Sequence, residues 1–132
     1  MYAAQSLPGP MEVSAAAPLP EGSRTALLVV HMQNDFVEPG APRQVPGATE
    51  IVPAVANAAD RMRVQGDLIV WITRAYSADG SNVEAARKPQ FKKTPFAVAG
   101  TRGADLVDGL EPWPEDLAVV TPSFSAFFRT DL

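Results

Sequence analysis

A chain of 132 residues, 46% apolar and with a mean hydropathy near zero, has the composition of one globular domain or of part of a larger one. Its net charge of −4, with basic residues scattered along the chain, leaves no footprint for nucleic acid or for a membrane surface. The absence of cysteine excludes disulfides and removes both the thiol nucleophile and the commonest soft metal ligand, and a single histidine argues against a structural zinc site.

Residues 1–22, MYAAQSLPGPMEVSAAAPLPEG, hold four of the 13 prolines and no basic residue. A secretory signal needs a positive start and an unbroken apolar core, which Pro8, Gly9 and Pro10 interrupt, so this stretch reads as a flexible Pro/Ala-rich leader on a cytoplasmic protein. No apolar run approaches the ~20 residues that span a bilayer.

From Ser23 onward the pattern is organised into one domain, residues 23–132. Ala26 to Val30 is a continuous aliphatic run of strand length, apolar on both faces as in a parallel sheet covered by helices. A Pro/Gly-rich loop follows, and then Ile51, Val55, Ala58, Ala59 and Met62 recur at helical spacing. Pro53 fits a first-turn position of that helix and Gly66 the residue just past its end. Asp67 to Thr73, DLIVWIT, reads as a second buried strand, completing a strand–helix–strand crossover unit. Ser77 to Gly103 carries Pro89 and Pro95 and reads mostly as loop, with Arg87, Lys88, Lys92 and Lys93 solvated on it. Gly103 to Leu110 suggests a short helix, and Leu117 to Thr121, LAVVT, a third buried strand. Beyond it, Thr130 is placed to cap a helix that Asp131 and Leu132 barely begin. The expected fold class is α/β, with a mostly parallel sheet of about three strands.

Two separated stretches carry a resemblance. TALLVVHMQNDFVEPG (Thr25 to Gly40) resembles the first strand and loop of the isochorismatase-like cysteine hydrolases, relatives of nicotinamidases and of carbamoylsarcosine and ureidoacrylate amidohydrolases. There an aliphatic run leads into Asp-Met-Gln-Asn-Asp-Phe. GTRGADLVDGLEPWPEDLAVVTPSFSAFFRTDL (Gly100 to Leu132) resembles the family's second signature, in which a strand ends in lysine before Ser-Ala-Phe and Thr-Asp-Leu. The resemblance covers roughly Arg24 to Leu132 and implies a three-layer α/β/α, Rossmann-like fold with strand order 3-2-1-4-5-6, here truncated with its C-terminal part missing. It also implies hydrolysis of a small amide, ureide or related bond. In that chemistry a carboxylate accepts the thiol proton, a lysine holds the carboxylate charged, and a cysteine at a helix start attacks.

By the same resemblance, His31 stands at the aspartate position. Thr121, four residues before Ser125, stands at the lysine position, and no cysteine is present. In nicotinamidases the second strand leads into Arg-Asp-Trp-His, whose Asp and His bind a divalent ion. Here TRAYS puts Ala75 and Ser77 at those places, so neither a metal nor any other cofactor is expected. Gln33 would brace the pocket, and Phe36 and Tyr76 would line it, for a small-molecule substrate or ligand.

Blander roles stand beside these. His31 could be a tolerated, buried and neutral histidine rather than a general base. Phe36, Phe124, Phe127 and Phe128 could be core or interface residues, and Ser125 a turn hydroxyl. In the implied strand order the first strand is central, so ending at Leu132 would expose Ala26 to Val30 as an apolar edge. The expected consequence is a homo-oligomer, or a partner chain covering that edge. The sequence leaves three functions open: an inactive or incomplete hydrolase polypeptide, a non-catalytic pseudo-hydrolase that binds or assembles, and a repurposed enzyme using His31 as base.

Overall fold

The computed structural model describes residues 25–128, 130 and 132, so the expected leader lies outside the described residues, as does Asp131 of the expected terminal helix start. Three strands, β1 (Ala26–Val30), β2 (Leu68–Arg74) and β3 (Leu117–Thr121), form a parallel sheet in the order β1-β2-β3. The register aligns Leu28 with Val70 and Val30 with Ile72, while Val70 pairs with Leu117 and Arg74 with Thr121. The continuous aliphatic runs are what central parallel strands require, and β2 meets the requirement most fully: Ile69, Val70, Trp71 and Ile72 are all buried. The second strand runs one residue later than its sequence suggests at both ends. Asp67 instead accepts a hydrogen bond from the Thr25 backbone N–H at 3.3 Å, and Arg74 extends the ladder to Thr121.

The long helix α2 (Ala48–Val64) crosses from β1 to β2 and lays Val52, Val55, Ala56, Ala59 and Met62 on Leu27, Val29, Ile69 and Trp71. Gly66 closes it as expected. At φ 76°, it donates to Arg63 while Asp67 donates to Met62, the paired bonds that a left-handed residue past a helix end makes possible. Pro53, however, is the sixth helical residue and lies inside the helix rather than in its first turn, because the helix starts three residues before Ile51. Among the described residues no long helix covers the opposite sheet face, where Leu28 and Val30 are 42% and 50% exposed.

Two short helices occupy segments read as loop: α1 (Asn34–Val37) directly after β1, and α3 (Lys88–Lys93) in the long connection. Lys88, Lys92 and Lys93 are solvent-exposed on α3. The helix expected over Gly103 to Leu110 is absent; a single 3-10 turn spans Arg102–Ala104. The backbone there bonds outward instead, with Asp105 accepting from Asn34 at 3.0 Å, Val107 donating to Met32 at 2.9 Å, and Leu106 bridged to Gln33. Gly103 sits so close to Asp35 that a Cβ would lie 2.2 Å from its carboxylate. A second apolar cluster, Tyr76, Val83, Phe91, Phe96 and Ala97, fills the long connection. Among the described residues no helix is long and apolar enough to cross a membrane.

Candidate functional site

The C-terminal ends of parallel strands present backbone and side chains to one edge of a sheet, which is where α/β folds build their sites. His31 leaves β1 with φ 53°, a left-handed conformation that Asn and Asp adopt more readily than most residues, and its backbone N–H donates to Ile72 at 2.8 Å. Its Nε2 is buried without a hydrogen-bond partner, and its ring lies 5.9 Å from that of Phe36. Burial pushes the His31 pKa down to about 4, the positive charges of Arg74 and Arg87 push it the same way, and Glu84 opposes them. The imidazole is therefore neutral near pH 7.

Gln33 is fully buried and ties three segments together. Its Nε2 donates to the carbonyls of Arg74 (2.8 Å) and Ala104 (2.6 Å), and its Oε1 accepts from the Arg74 N–H (2.7 Å). Phe36 lines a cavity of about 890 Å³ together with His31, and packs edge-on against Phe96 at 6.1 Å. Tyr76 is placed differently: it is fully buried in the aromatic cluster and is not a wall of that cavity. Its hydroxyl accepts from Arg74 (2.5 Å) and donates to Glu84 (2.5 Å). Burial, reinforced by the bond to Glu84, pushes its pKa up to about 12.

Thr121 is also fully buried at the end of β3, where its hydroxyl accepts from the Ser123 N–H (3.0 Å) and donates to the Ser125 carbonyl (3.3 Å). Ser125 Oγ in turn accepts from the Phe127 N–H at 3.2 Å, the geometry of a turn hydroxyl. Phe127 and Phe128 are exposed rather than in the core, as is Phe124, which lines the cavity. Ala75 and Ser77 follow β2, and among the described residues no group of three or more His, Cys, Asp or Glu side chains converges.

Sequence reasoning missed the arginines. Arg74 is 2% exposed and bonds Glu84 (3.1 Å) and the Ser123 carbonyl (2.9 Å) as well as Tyr76. Arg87, expected on a solvated loop, stacks its guanidinium 4.6 Å from the Phe124 ring, and Arg43 lies 4.7 Å from that of Phe96. All three line the cavity with His31. Only Arg74 carries a signal in the sequence, a charge closing an apolar strand run.

An isochorismatase domain model matches residues 25–132. A protein of Arabidopsis thaliana described as a probable inactive nicotinamidase is 44% identical over 111 residues, covering 82% of this chain and 57% of that protein. The structure of an isochorismatase family protein from Desulfovibrio vulgaris superposes with a TM-score of 0.76 at 44% identity, over 82% of this chain and 58% of that one. An isochorismatase-like hydrolase from Alkaliphilus metalliredigens gives a TM-score of 0.70 at 32% identity, over 83% of this chain and 58% of that one. The chain thus spans somewhat over half the length of these relatives.

Proposed function

The chain belongs to the isochorismatase family, and from that premise we propose that residues 1–132 are a non-hydrolytic form of the scaffold, a pocket that binds a small molecule without cleaving it. The environment of His31 carries this reading. At the position where relatives are expected to hold a proton-accepting carboxylate stands an imidazole whose Nε2 has no partner. Arg74 and Arg87 disfavour its protonated form. A histidine base works when a carboxylate orients it and stabilises the imidazolium, and here the charges have the opposite sign. Thr121, at the expected lysine position, offers only a hydroxyl already committed to its own turn. The 44% identity to a protein described as a probable inactive nicotinamidase supports the same conclusion.

A second reading is favoured by one observation: the chain spans 57% of that relative, and β1 is an edge strand of the sheet. Further strands, from more of the same polypeptide, a second copy or another chain, would cover that edge. A cysteine supplied in this way would still face His31 and Thr121, so completion of the sheet does not by itself restore the acid and the lysine.

Ammonia release from a panel of small primary amides and ureides tests the proposal on the full chain. The expected result is no release above a protein-free blank, for the wild type and for His31→Ala alike. Turnover by the wild type that His31→Ala abolishes would overturn the proposal and establish His31 as a base.

A further inference from the structure

Lys88, Lys92 and Lys93 are the only lysines in the sequence, so every lysine of the chain stands on the short helix α3. All are exposed, and none makes an ion pair with a described residue. In a chain of net charge −4 they form an unneutralised positive face. Thr94 and Pro95 follow directly and are exposed as well. Proline pushes the residue before it out of the helical region, and Thr94 accordingly ends α3 in an extended conformation, at φ −149° and ψ 101°. Its backbone N–H donates to Gln90 at 3.0 Å, whereas its hydroxyl makes no hydrogen bond with a described residue.

The sequence holds one other Thr-Pro pair, Thr121 with Pro122, and no serine precedes a proline. The fold treats the two threonines oppositely. Thr121 is fully buried, and its hydroxyl is committed to the Ser123 N–H at 3.0 Å and to the Ser125 carbonyl at 3.3 Å. An enzyme acting on that hydroxyl would first have to open the end of β3. The stretch from Lys92 to Pro95 needs no such opening, because it is exposed throughout while Phe91 and Phe96 on either side are buried in the aromatic cluster.

We propose that Thr94 is a phosphorylation site for a proline-directed protein kinase, and that its phosphate is held by Lys92 and Lys93. In the transfer the Thr94 Oγ attacks the γ-phosphorus of ATP, the bond from that phosphorus to the bridging oxygen breaks, ADP leaves, and the hydroxyl proton passes to the kinase or to water. The product carries about −1.5 to −2 charges near pH 7, beside the ammonium groups of the two preceding residues. Pairing with those lysines favours the phosphate, and the negative end of α3 disfavours it. Both effects are small at exposed positions, so the fold persists while the charge of the lysine face falls to about +1. The modification is thus a charge switch on the outer face of α3, and none of Lys92, Lys93 and Thr94 lines the cavity that holds His31.

The test incubates the full chain with ATP, magnesium and a proline-directed kinase whose activity is verified alongside on a Thr-Pro peptide, and locates phosphate by peptide mass spectrometry. Phosphate is expected at Thr94 and not at Thr121. Incorporation should fall at least about tenfold in Thr94→Ala and in Pro95→Ala, because the other Thr-Pro pair is reached only by opening β3, and it should persist in Thr94→Ser. Circular dichroism checks the fold of each variant, and a folding failure in one leaves the other decisive. A phosphorus NMR titration of the phosphorylated chain tests the lysines: the second phosphate pKa should lie below its ordinary value of about 6 and return toward it when Lys92→Gln and Lys93→Gln are combined. No incorporation, phosphate placed mainly at Thr121 or elsewhere, or incorporation undiminished in whichever variant folds would overturn the site. A phosphate pKa indifferent to the lysine changes would overturn their part in holding it.

Discussion

His31 combines a left-handed backbone, a buried unpartnered ring nitrogen and a pKa lowered to about 4, and the last has a thermodynamic consequence. In the unfolded chain the ring takes up a proton as pH falls through about 6.5; in the folded chain it does so only near 4. Over that interval the unfolded state binds more protons, so folding loses stability as pH drops from about 6.5 to about 4, and the loss levels off below. With allowance for solvent screening of a partly exposed ring, the loss should be about 1–2 kcal/mol. Asp116 does not confuse the window. Burial pushes its carboxyl up, but hydrogen bonds from Arg63, Trp113 and Trp71 outweigh burial and hold it at about 2, so its own contribution is lost only below 3.8. His31→Asn keeps a residue tolerant of the left-handed backbone and removes the titration. Urea denaturation from pH 7 to 4 should give a falling curve for the wild type and a flatter one for the variant; parallel curves would refute the assignment.

Between elements, Gln33 is the tie that holds the site loop to the sheet. One side chain satisfies both backbone groups of Arg74 and the carbonyl of Ala104, joining the end of β1 to β2 and to the 3-10 turn. Gln33→Leu keeps the volume and strands both buried backbone groups of Arg74 and the part-buried carbonyl of Ala104, which should cost roughly 2–3 kcal/mol by denaturant melts; a loss below about 1 kcal/mol would mean that water replaces the amide. That tie also explains where sequence reading works and where it stops. Ala26–Val30, the second strand and the third are legible as unbroken aliphatic runs of strand length, and the helix because its apolar spacing ends at Gly66; only β2 has the burial on both faces that such a run suggests, while Leu28 and Val30 of β1 and Leu117 and Val120 of β3, expected to be buried, are exposed. Gly103 to Leu110 has helix-like spacing, yet the backbone of Asp105, Leu106 and Val107 bonds to residues 32–34, far away in the chain, and local pattern carries no trace of that partner. The same limit hides the cavity: His31 is conspicuous at the end of its strand, whereas Arg43 and Arg87 sit in ordinary loop sequence and meet only through Phe96.

At the scale of the sheet, β1 is paired among the described residues on one side only, to β2. Its sequence, ALLVV, contains none of the lysines, prolines or inward charges with which exposed edges are usually protected, and Leu28 and Val30 are 42% and 50% exposed on the face that α2 does not cover. An unprotected apolar edge with free N–H and C=O groups is a template for another strand. Residues 1–132 prepared on their own are therefore expected to associate in solution. Leu28→Lys places a charge on that edge without touching Val29, which faces α2 in the buried core, so it should disperse the assembly while preserving the circular dichroism spectrum. Size-exclusion chromatography with light scattering across a dilution series distinguishes the outcomes. A wild-type chain that elutes as a stable monomer at every concentration would show that the edge is already protected, and an assembly indifferent to Leu28→Lys would place the contact elsewhere, with the exposed Phe127 and Phe128 the next surface to charge.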